Sequence, residues 1–183
     1  MTAVDIDATL AAKLGFPKLR YVFVEYERRW LCTALPCELV TETEQINDLY
    51  VIGTNLRLRE ARQLAGGASM LRLTRKVDVD PRTRLISSVY LQEAEFALLR
   101  SVLTGRSIRK LRHRLRSSAG VVLAVDEFQE ELSGLLLLEA EFPSTQALEE
   151  FQAPWFAGAE VTSDPQYTGG LLSSSGLPKA PSQ

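Results

Sequence analysis

The sequence of 183 residues is poor in side chains on which many enzyme classes depend. It contains one histidine, His113, and two cysteines, Cys32 and Cys37. A zinc site built from two or three imidazoles is therefore excluded. The four residues between the cysteines do not match the two-residue gap of a zinc knuckle or a redox pair. We predict free thiols in a reducing compartment, acting as small buried hydrophobic side chains.

A strong net charge and a long apolar run are also missing. The 21 basic and 23 acidic residues leave a net charge of −2, so no global field attracts nucleic acid or an anionic membrane. The longest aliphatic run, residues 135–138, is far too short to span a bilayer. The first ten residues lack the basic and apolar regions of a signal peptide. We therefore expect a cytoplasmic protein without nucleic-acid or membrane partners.

The hydrophobic pattern predicts one α+β domain dominated by antiparallel strands. Hydrophobic residues make up 45% of the chain, which is enough for one core. Residues 1–19 are predicted to form an N-terminal extension with a short helix capped by Asp5 or Asp7. Residues 173–183, rich in Ser, Gly and Pro, are predicted to form a flexible tail. Between them we predict strands at 21–31, 49–52, 56–60, 69–77, 84–91, 107–115, 121–128 and 135–142, and helices at 93–103 and 144–151.

Charged residues recur at every second position in four of these strands. They are Glu25, Glu27 and Arg29, then Arg57 and Arg59, then Lys110 and Arg112, and last Glu139 and Glu141. A period of two places each set on one face of its strand. A solvated sheet face would explain any single strand. However, apart from Arg29, the acidic and basic residues of these sets lie on different strands, which favours one wall that binds cations and another that binds a polyanion.

A sheet that closes on itself would turn these faces into the lining of a tunnel. A barrel of about eight strands is wide enough for one small ligand. Carboxylates are the ligands that Mg²⁺ and Mn²⁺ take, often together with phosphate oxygens of the substrate. Arginine and lysine bind phosphate as a planar fork and as a point charge. The pattern therefore predicts phosphate chemistry that depends on a divalent metal.

The same residues carry a resemblance to a known family. The segment Glu25-Tyr26-Glu27-Arg28-Arg29 resembles the E-x-E-x-K signature of the CYTH domain, the triphosphate tunnel metalloenzyme superfamily that includes class IV adenylate cyclase and thiamine triphosphatase. Further motifs follow in the family's order: L-R-x-R at 56–59, L-T-x-K at 73–76, K-x-R at 110–112, D-x-F…L…E-x-E-F at 126–142 and a closing segment at 154–167. The resemblance covers residues 20–172 and implies a closed antiparallel β-barrel with helices packed outside.

The resemblance also implies roles for individual residues. Divalent metal, Mg²⁺ or Mn²⁺, would be bound by four glutamates, with Asp126 supporting a second metal or its water; the glutamates are Glu25, Glu27, Glu139 and Glu141. The triphosphate would be held by Arg29, Arg57, Arg59, Lys76, Lys110 and Arg112. The residues expected at the reaction itself are Glu25, Glu27, Arg29 and Asp126. Side chains alternate between the two faces of a strand, so His113 lies on the face opposite to Lys110 and Arg112. We therefore expect it to face away from the tunnel.

The implied activity is hydrolysis of the terminal phosphate of a triphosphate, with inorganic tripolyphosphate as the first candidate. Thiamine triphosphatase, nucleoside triphosphatase and adenylate cyclase activity remain open in the same tunnel, as does a module that binds polyphosphate or nucleotide without turnover. The sequence departs from the family pattern where Arg29 replaces a lysine and where Ile86 and Ser88 replace glutamates. The expected partner is a small-molecule triphosphate, and a homodimer is compatible with this interpretation.

Overall fold

The computed structural model describes residues 6–117 and 120–178. Its helices are α1 (Ala8–Lys13), α2 (Glu93–Val102), α3 (Thr145–Glu150) and α4 (Gly169–Ser175). Its strands are β1 (Phe23–Cys32), β2 (Val40–Val51), β3 (Leu56–Gln63), β4 (Met70–Asp80), β5 (Thr83–Tyr90), β6 (Gly105–Leu115), β7 (Val122–Phe128), β8 (Leu136–Phe142) and β9 (Ala157–Glu160).

Eight of the strands close into an antiparallel barrel. Neighbouring strands follow the order β5-β4-β3-β2-β6-β7-β8-β1, and β1 also pairs with β5, which completes the ring. Strand β9 pairs with the last residues of β1, beyond the part of β1 that pairs with β5. This arrangement confirms the predicted α+β fold and the closed barrel of about eight strands.

The apolar faces of the strands point outward onto the helices, as the alternating pattern predicts. On one side Trp30, Val125 and Leu138 form a core cluster with Leu148 of α3. On another, Leu85 packs with Ala11 of α1 and with Phe16. Because the outer face carries the hydrophobic core, the inner face is left free to hold charged side chains.

Helix α4 has a different position, since it covers one end of the barrel. Its Leu172 is buried against Ile108, Phe128 and Leu137. The helix ends at Ser175, so it extends past the predicted boundary between residues 172 and 173. The division of the chain into an extension, a central domain and a tail stays a prediction.

Most of the predicted elements agree with the structure, including the helix capped by Asp7 and the helix capped by Ser144. The prediction for β2 was wrong in length, because β2 begins at Val40 rather than at residue 49. Residues 41–48 are polar or acidic except for Ile46, so neither face shows an apolar stripe. Strand β9 and α4 were not predicted. Asp5 and two residues of the predicted turn at 117–120 lie outside the described residues.

The thiols of Cys32 and Cys37 are free, as predicted. The expectation that both are buried was wrong for Cys37, which is exposed, while Cys32 is half-buried. Within residues 6–117 and 120–178, the longest helix has ten residues, and none has the length and apolar character needed to cross a bilayer.

Candidate functional site

The interior of the barrel is a cavity of about 650 Å³, and all eight barrel strands contribute to its lining. This volume lies within the usual range for small-molecule sites. At one end Tyr50 meets the first turn of α4, where a Cβ on Gly169 would lie only 1.8 Å from the Tyr50 hydroxyl oxygen. The opposite end is lined by the exposed side chains of Phe23, Met70 and Tyr90. The cavity is therefore closed at the α4 end and accessible at the other.

An acidic wall is formed by neighbouring strands β1 and β8. It consists of Glu25 and Glu27 on β1 and of Glu139 and Glu141 on β8. Glu27 and Glu141 are direct register partners, and two like charges in this arrangement destabilise a sheet unless other charges compensate them. The structure brings all four predicted glutamates together in the cavity lining.

Cations compensate three of these four carboxylates. Arg84 Nη1 donates a hydrogen bond of 2.7 Å to Glu27 Oε1, Lys76 Nζ pairs with Glu25 Oε2, and Arg112 Nη2 pairs with Glu139 Oε2. Glu141 differs, because no lysine, arginine or histidine nitrogen of the described residues lies within 4.0 Å of its carboxylate. One negative charge of the wall is thus left without a partner.

The pKa values reflect this difference between neighbouring glutamates. Burial alone would raise the pKa of Glu27, but the charges of Arg84 and Lys76 lower it to about 2. The pKa of Glu141 is raised instead, first by burial and then by the negative charge of Glu25, and Glu139 and Glu27 add to the effect. An added cation next to Glu141 would therefore relieve a real electrostatic cost.

A basic wall faces the cavity from β3, β4 and β6. On β3, Arg59 donates through Nε and Nη2 to the two oxygens of Asp48, both at 2.7 Å, and Arg57 Nε lies 3.6 Å from Asp48 Oδ1. Burial would raise the pKa of Asp48, yet Arg59 and Arg57 hold it well below its usual range. Asp48 thus fixes both arginines while remaining ionised.

The β6 part of the basic wall is fixed in the same way by Asp126. Arg112 donates through Nε and Nη2 to Asp126 Oδ1 and Oδ2, both at 2.7 Å, and Lys110 Nζ pairs with Oδ2. Asp126 is fully buried, and it lies behind Lys110 and Arg112 rather than in the cavity lining. These contacts give Asp126 the role of orienting two cations, and a direct role at a metal stays a prediction.

Arg29 links the acidic wall to the segment that precedes α4. Its Nε lies 3.2 Å from Glu27 Oε1, and its Nη1 donates a hydrogen bond of 2.8 Å to the carbonyl of Tyr167. A lysine ammonium could not span both partners with the same planar geometry. The structure therefore gives a local reason for arginine at this position.

His113 lies outside the cavity, as its parity predicts. Its Nδ1 is 3.0 Å from the Thr43 hydroxyl and its Nε2 is 3.0 Å from Glu127 Oε2. Neither of these partners lines the cavity. The imidazole thus belongs to the outer face of the barrel.

Several charged residues of the lining or the walls were missed in the sequence, among them Glu44, Asp48, Arg72, Asp78 and Arg84. Glu44 and Asp48 lie in the part of β2 that carried no prediction. Arg72 is an even number of residues from Lys76 on β4 and so shares its strand face, and Arg84 shares the face of Ile86 and Ser88 on β5 in the same way. The period-two rule applied to every strand would have found both arginines.

The donor set fits a divalent metal that is bound jointly with phosphate. In the described part of the chain, no group of three or more Asp, Glu, His or Cys side chains is arranged to hold a metal by itself. The uncompensated carboxylate of Glu141 nevertheless lies beside Glu25, in a wall that provides only oxygen donors. Magnesium is usually bound through one or two carboxylates together with substrate phosphates and water, which matches this arrangement.

Part of the chain is similar in sequence to two curated proteins. The inorganic triphosphatase of Nitrosomonas europaea is 35% identical over 80 residues, which are 43% of this chain and 52% of that protein. The inorganic triphosphatase of Acetivibrio thermocellus is 42% identical over 60 residues, 33% of this chain and 36% of that protein. The chain thus matches about half or less of the length of these curated relatives. No protein-family model matches the chain.

Solved structures extend the similarity to most of the chain. The crystal structure of an inorganic triphosphatase superposes with a TM-score of 0.56 at 26% identity, over 85% of this chain and 97% of that one. A Pyrococcus horikoshii protein superposes with a TM-score of 0.51 at 22% identity, over 68% of this chain and 83% of that one. The second similarity concerns the fold alone.

Proposed function

We propose that the chain belongs to the CYTH, or triphosphate tunnel metalloenzyme, superfamily and hydrolyses the terminal phosphate of a triphosphate with the help of a divalent metal. The proposal is supported by the family's motifs in the sequence and by the superposition of the chain on an inorganic triphosphatase. Inorganic tripolyphosphate is the proposed substrate, since both curated relatives are named inorganic triphosphatases. The observation that carries the proposal is the barrel cavity with an acidic wall and a basic wall, in which no cation of the described residues lies within 4.0 Å of the Glu141 carboxylate.

In this proposal the basic wall binds and aligns the phosphate chain. Arg57 and Arg59 act from β3, Lys76 from β4, Lys110 and Arg112 from β6, and Arg29 from β1. Asp48 and Asp126 hold four of these cations in position. Positioning and electrostatic stabilisation are the main needs of phosphoryl transfer, because the transition state spreads negative charge over the phosphate oxygens.

The acidic wall would hold Mg²⁺ or Mn²⁺ through Glu25, Glu27, Glu139 and Glu141. Such an ion, when bound, neutralises phosphate oxygens and lowers the pKa of a coordinated water. Water attacks the terminal phosphorus, the bond to the bridging oxygen breaks, and the proton of the attacking water passes to the phosphate products or to bulk water. The products are orthophosphate and pyrophosphate, and no side-chain nucleophile takes part.

The test measures phosphate release from tripolyphosphate with Mg²⁺ or Mn²⁺. We expect turnover by the natural sequence and its loss in Glu25→Gln and Glu141→Gln, while circular dichroism shows a folded barrel for both. Glu149→Gln is the matched control, because Glu149 is an exposed glutamate that pairs with Arg82 on the surface. Turnover that persists in both cavity variants would contradict the proposed metal site.

A second candidate function is binding of polyphosphate or nucleotide without turnover. The side chains of Ile86 and Ser88 on β5 favour this candidate, because they line the cavity and add no carboxylate to the acidic wall. Tripolyphosphate binding without phosphate release would support this candidate. Release of pyrophosphate and cyclic AMP from ATP would instead assign adenylate cyclase activity, and preferential turnover of thiamine triphosphate or a nucleoside triphosphate would assign those substrates.

A further inference from the structure

Arg72 lies near the start of β4, on the inner face of the barrel. Its register partner on β3 is Arg59, and its register partner on β5 is Tyr90. All three side chains line the cavity. Two arginines thus lie directly opposite each other on neighbouring strands, an arrangement that destabilises a sheet unless an anion lies between or beside them.

The charges around Arg72 leave it uncompensated. Arg57 and Arg59 share Asp48, whereas no carboxylate of residues 6–117 and 120–178 lies within 4.0 Å of the Arg72 guanidinium. Its Nε is buried and donates no hydrogen bond to any described residue. Burial and then the charges of Arg59 and Arg57 lower the pKa of Arg72, and Tyr90 opposes this shift without reversing it. Three guanidinium groups are therefore held close together with one carboxylate.

We propose that Arg72 is a further substrate-binding residue, which forms with Arg57 and Arg59 an arginine cluster that binds one phosphoryl group of the substrate. A phosphate oxygen would accept the unused Nε–H of Arg72 and supply the missing negative charge. The repulsion within the cluster would then be relieved by the ligand rather than by the fold. This inference rests on the proposed function, because it takes a linear phosphate as the ligand.

Within the cluster, Arg72 is the member that lies toward the accessible end of the cavity. Arg72 lies two residues from Met70 at the start of β4 and opposite Tyr90 at the end of β5, and Tyr90 is 67% exposed. The other end of the cavity is closed by α4. In this proposal Arg72 therefore contacts the phosphoryl group from the side of the accessible end.

The test measures tripolyphosphate binding by isothermal titration calorimetry in EDTA, so that neither a metal nor turnover contributes. Removing a charged hydrogen-bond donor should weaken binding by about ten- to a hundredfold in Arg72→Gln. The melting temperature is the second measurement. Because Arg72 repels its neighbours in the free protein, ligand-free Arg72→Gln should melt at the same temperature as the natural sequence or at a higher one. A residue with a merely structural role would give a lower melting temperature. Arg72→Lys should bind with intermediate affinity, since it keeps the charge and loses the planar fork.

Arg62→Gln is the matched control, because Arg62 is an exposed arginine of β3 with the opposite parity to Arg59. It should bind tripolyphosphate like the natural sequence. The proposal is overturned if Arg72→Gln binds within twofold of the natural sequence, or if Arg72→Lys binds no better than Arg72→Gln. If binding depends on Arg72 but no phosphate is released, the proposed function is refuted and this inference stands. If tripolyphosphate is hydrolysed and its binding does not change in Arg72→Gln, this inference is refuted and the proposed function stands.

Discussion

The substitution Asp48→Asn tests whether a buried carboxylate holds the basic wall together. Asp48 is 2% exposed and accepts two hydrogen bonds of 2.7 Å from Arg59, and Arg57 lies 3.6 Å away. An asparagine of the same shape keeps the volume and removes the charge. Arg59 would then remain buried beside Arg57 and Arg72 with no anion to compensate it.

The expected cost is large, because breaking a buried ion pair by removing one partner destabilises a protein by about 3–5 kcal/mol. For a chain of this size each kcal/mol corresponds to roughly 2–4 °C, so the melting temperature should fall by roughly 6–20 °C at pH 7. Tripolyphosphate should restore part of this loss, because it brings negative charge back to the same arginines. A double-mutant cycle with Arg72→Gln should show that Asp48→Asn costs less when Arg72 is absent.

The assay is urea unfolding of the natural sequence and of Asp48→Asn between pH 3 and pH 7. The pKa of Asp48 in the folded protein lies below its ordinary value of 3.8, so the unfolded state takes up the proton first as the pH falls. The stability that Asp48 provides is therefore complete well above pH 3.8 and decreases below it. The difference between the two proteins should narrow at pH 3.

Glu149→Gln is again the control, because its exposed pair with Arg82 should contribute no more than about 1 kcal/mol. Two results would refute the reasoning for Asp48. One is a cost below about 1 kcal/mol at pH 7, and the other is a difference that is as large at pH 3 as at pH 7.

Two further substitutions probe Asp126 and the closed end. Asp126→Asn leaves Lys110 and Arg112 without their shared carboxylate, so we expect a loss of about 3–5 kcal/mol in urea unfolding and weaker tripolyphosphate binding. An unchanged affinity would argue against its orienting role. Gly169→Ala places a Cβ 1.8 Å from the Tyr50 hydroxyl oxygen, so thermal unfolding should show a loss of about 1–3 kcal/mol. Gly170→Ala is its control, because a Cβ there meets no atom within 4 Å.

The sequence alone was sufficient for most of the barrel, because strand alternation is a local property. Charges at period two on β1, β3, β6 and β8 placed the predicted glutamates and basic residues on one face each, and the structure brings them into one cavity. The same rule missed residues 41–48 of β2, where polar side chains occupy both faces. Without that segment, Asp48 could not be recognised as the partner of Arg57 and Arg59.

The tertiary structure alone decided which charges remain available for a ligand. The alternation of side chains along a strand shows that Arg72 and Arg84 face the cavity. It cannot show that Arg84 pairs with Glu27, or that Arg72 has no carboxylate within 4.0 Å in the described part of the chain. Nor can it show that Asp126 lies behind the lining or that α4 closes one end. These facts depend on which strands meet across the closed sheet and on distances between residues far apart in sequence. The sequence therefore determined the kind of chemistry that the walls can support, and the closure of the sheet decided where that chemistry has room for a metal and a phosphate chain.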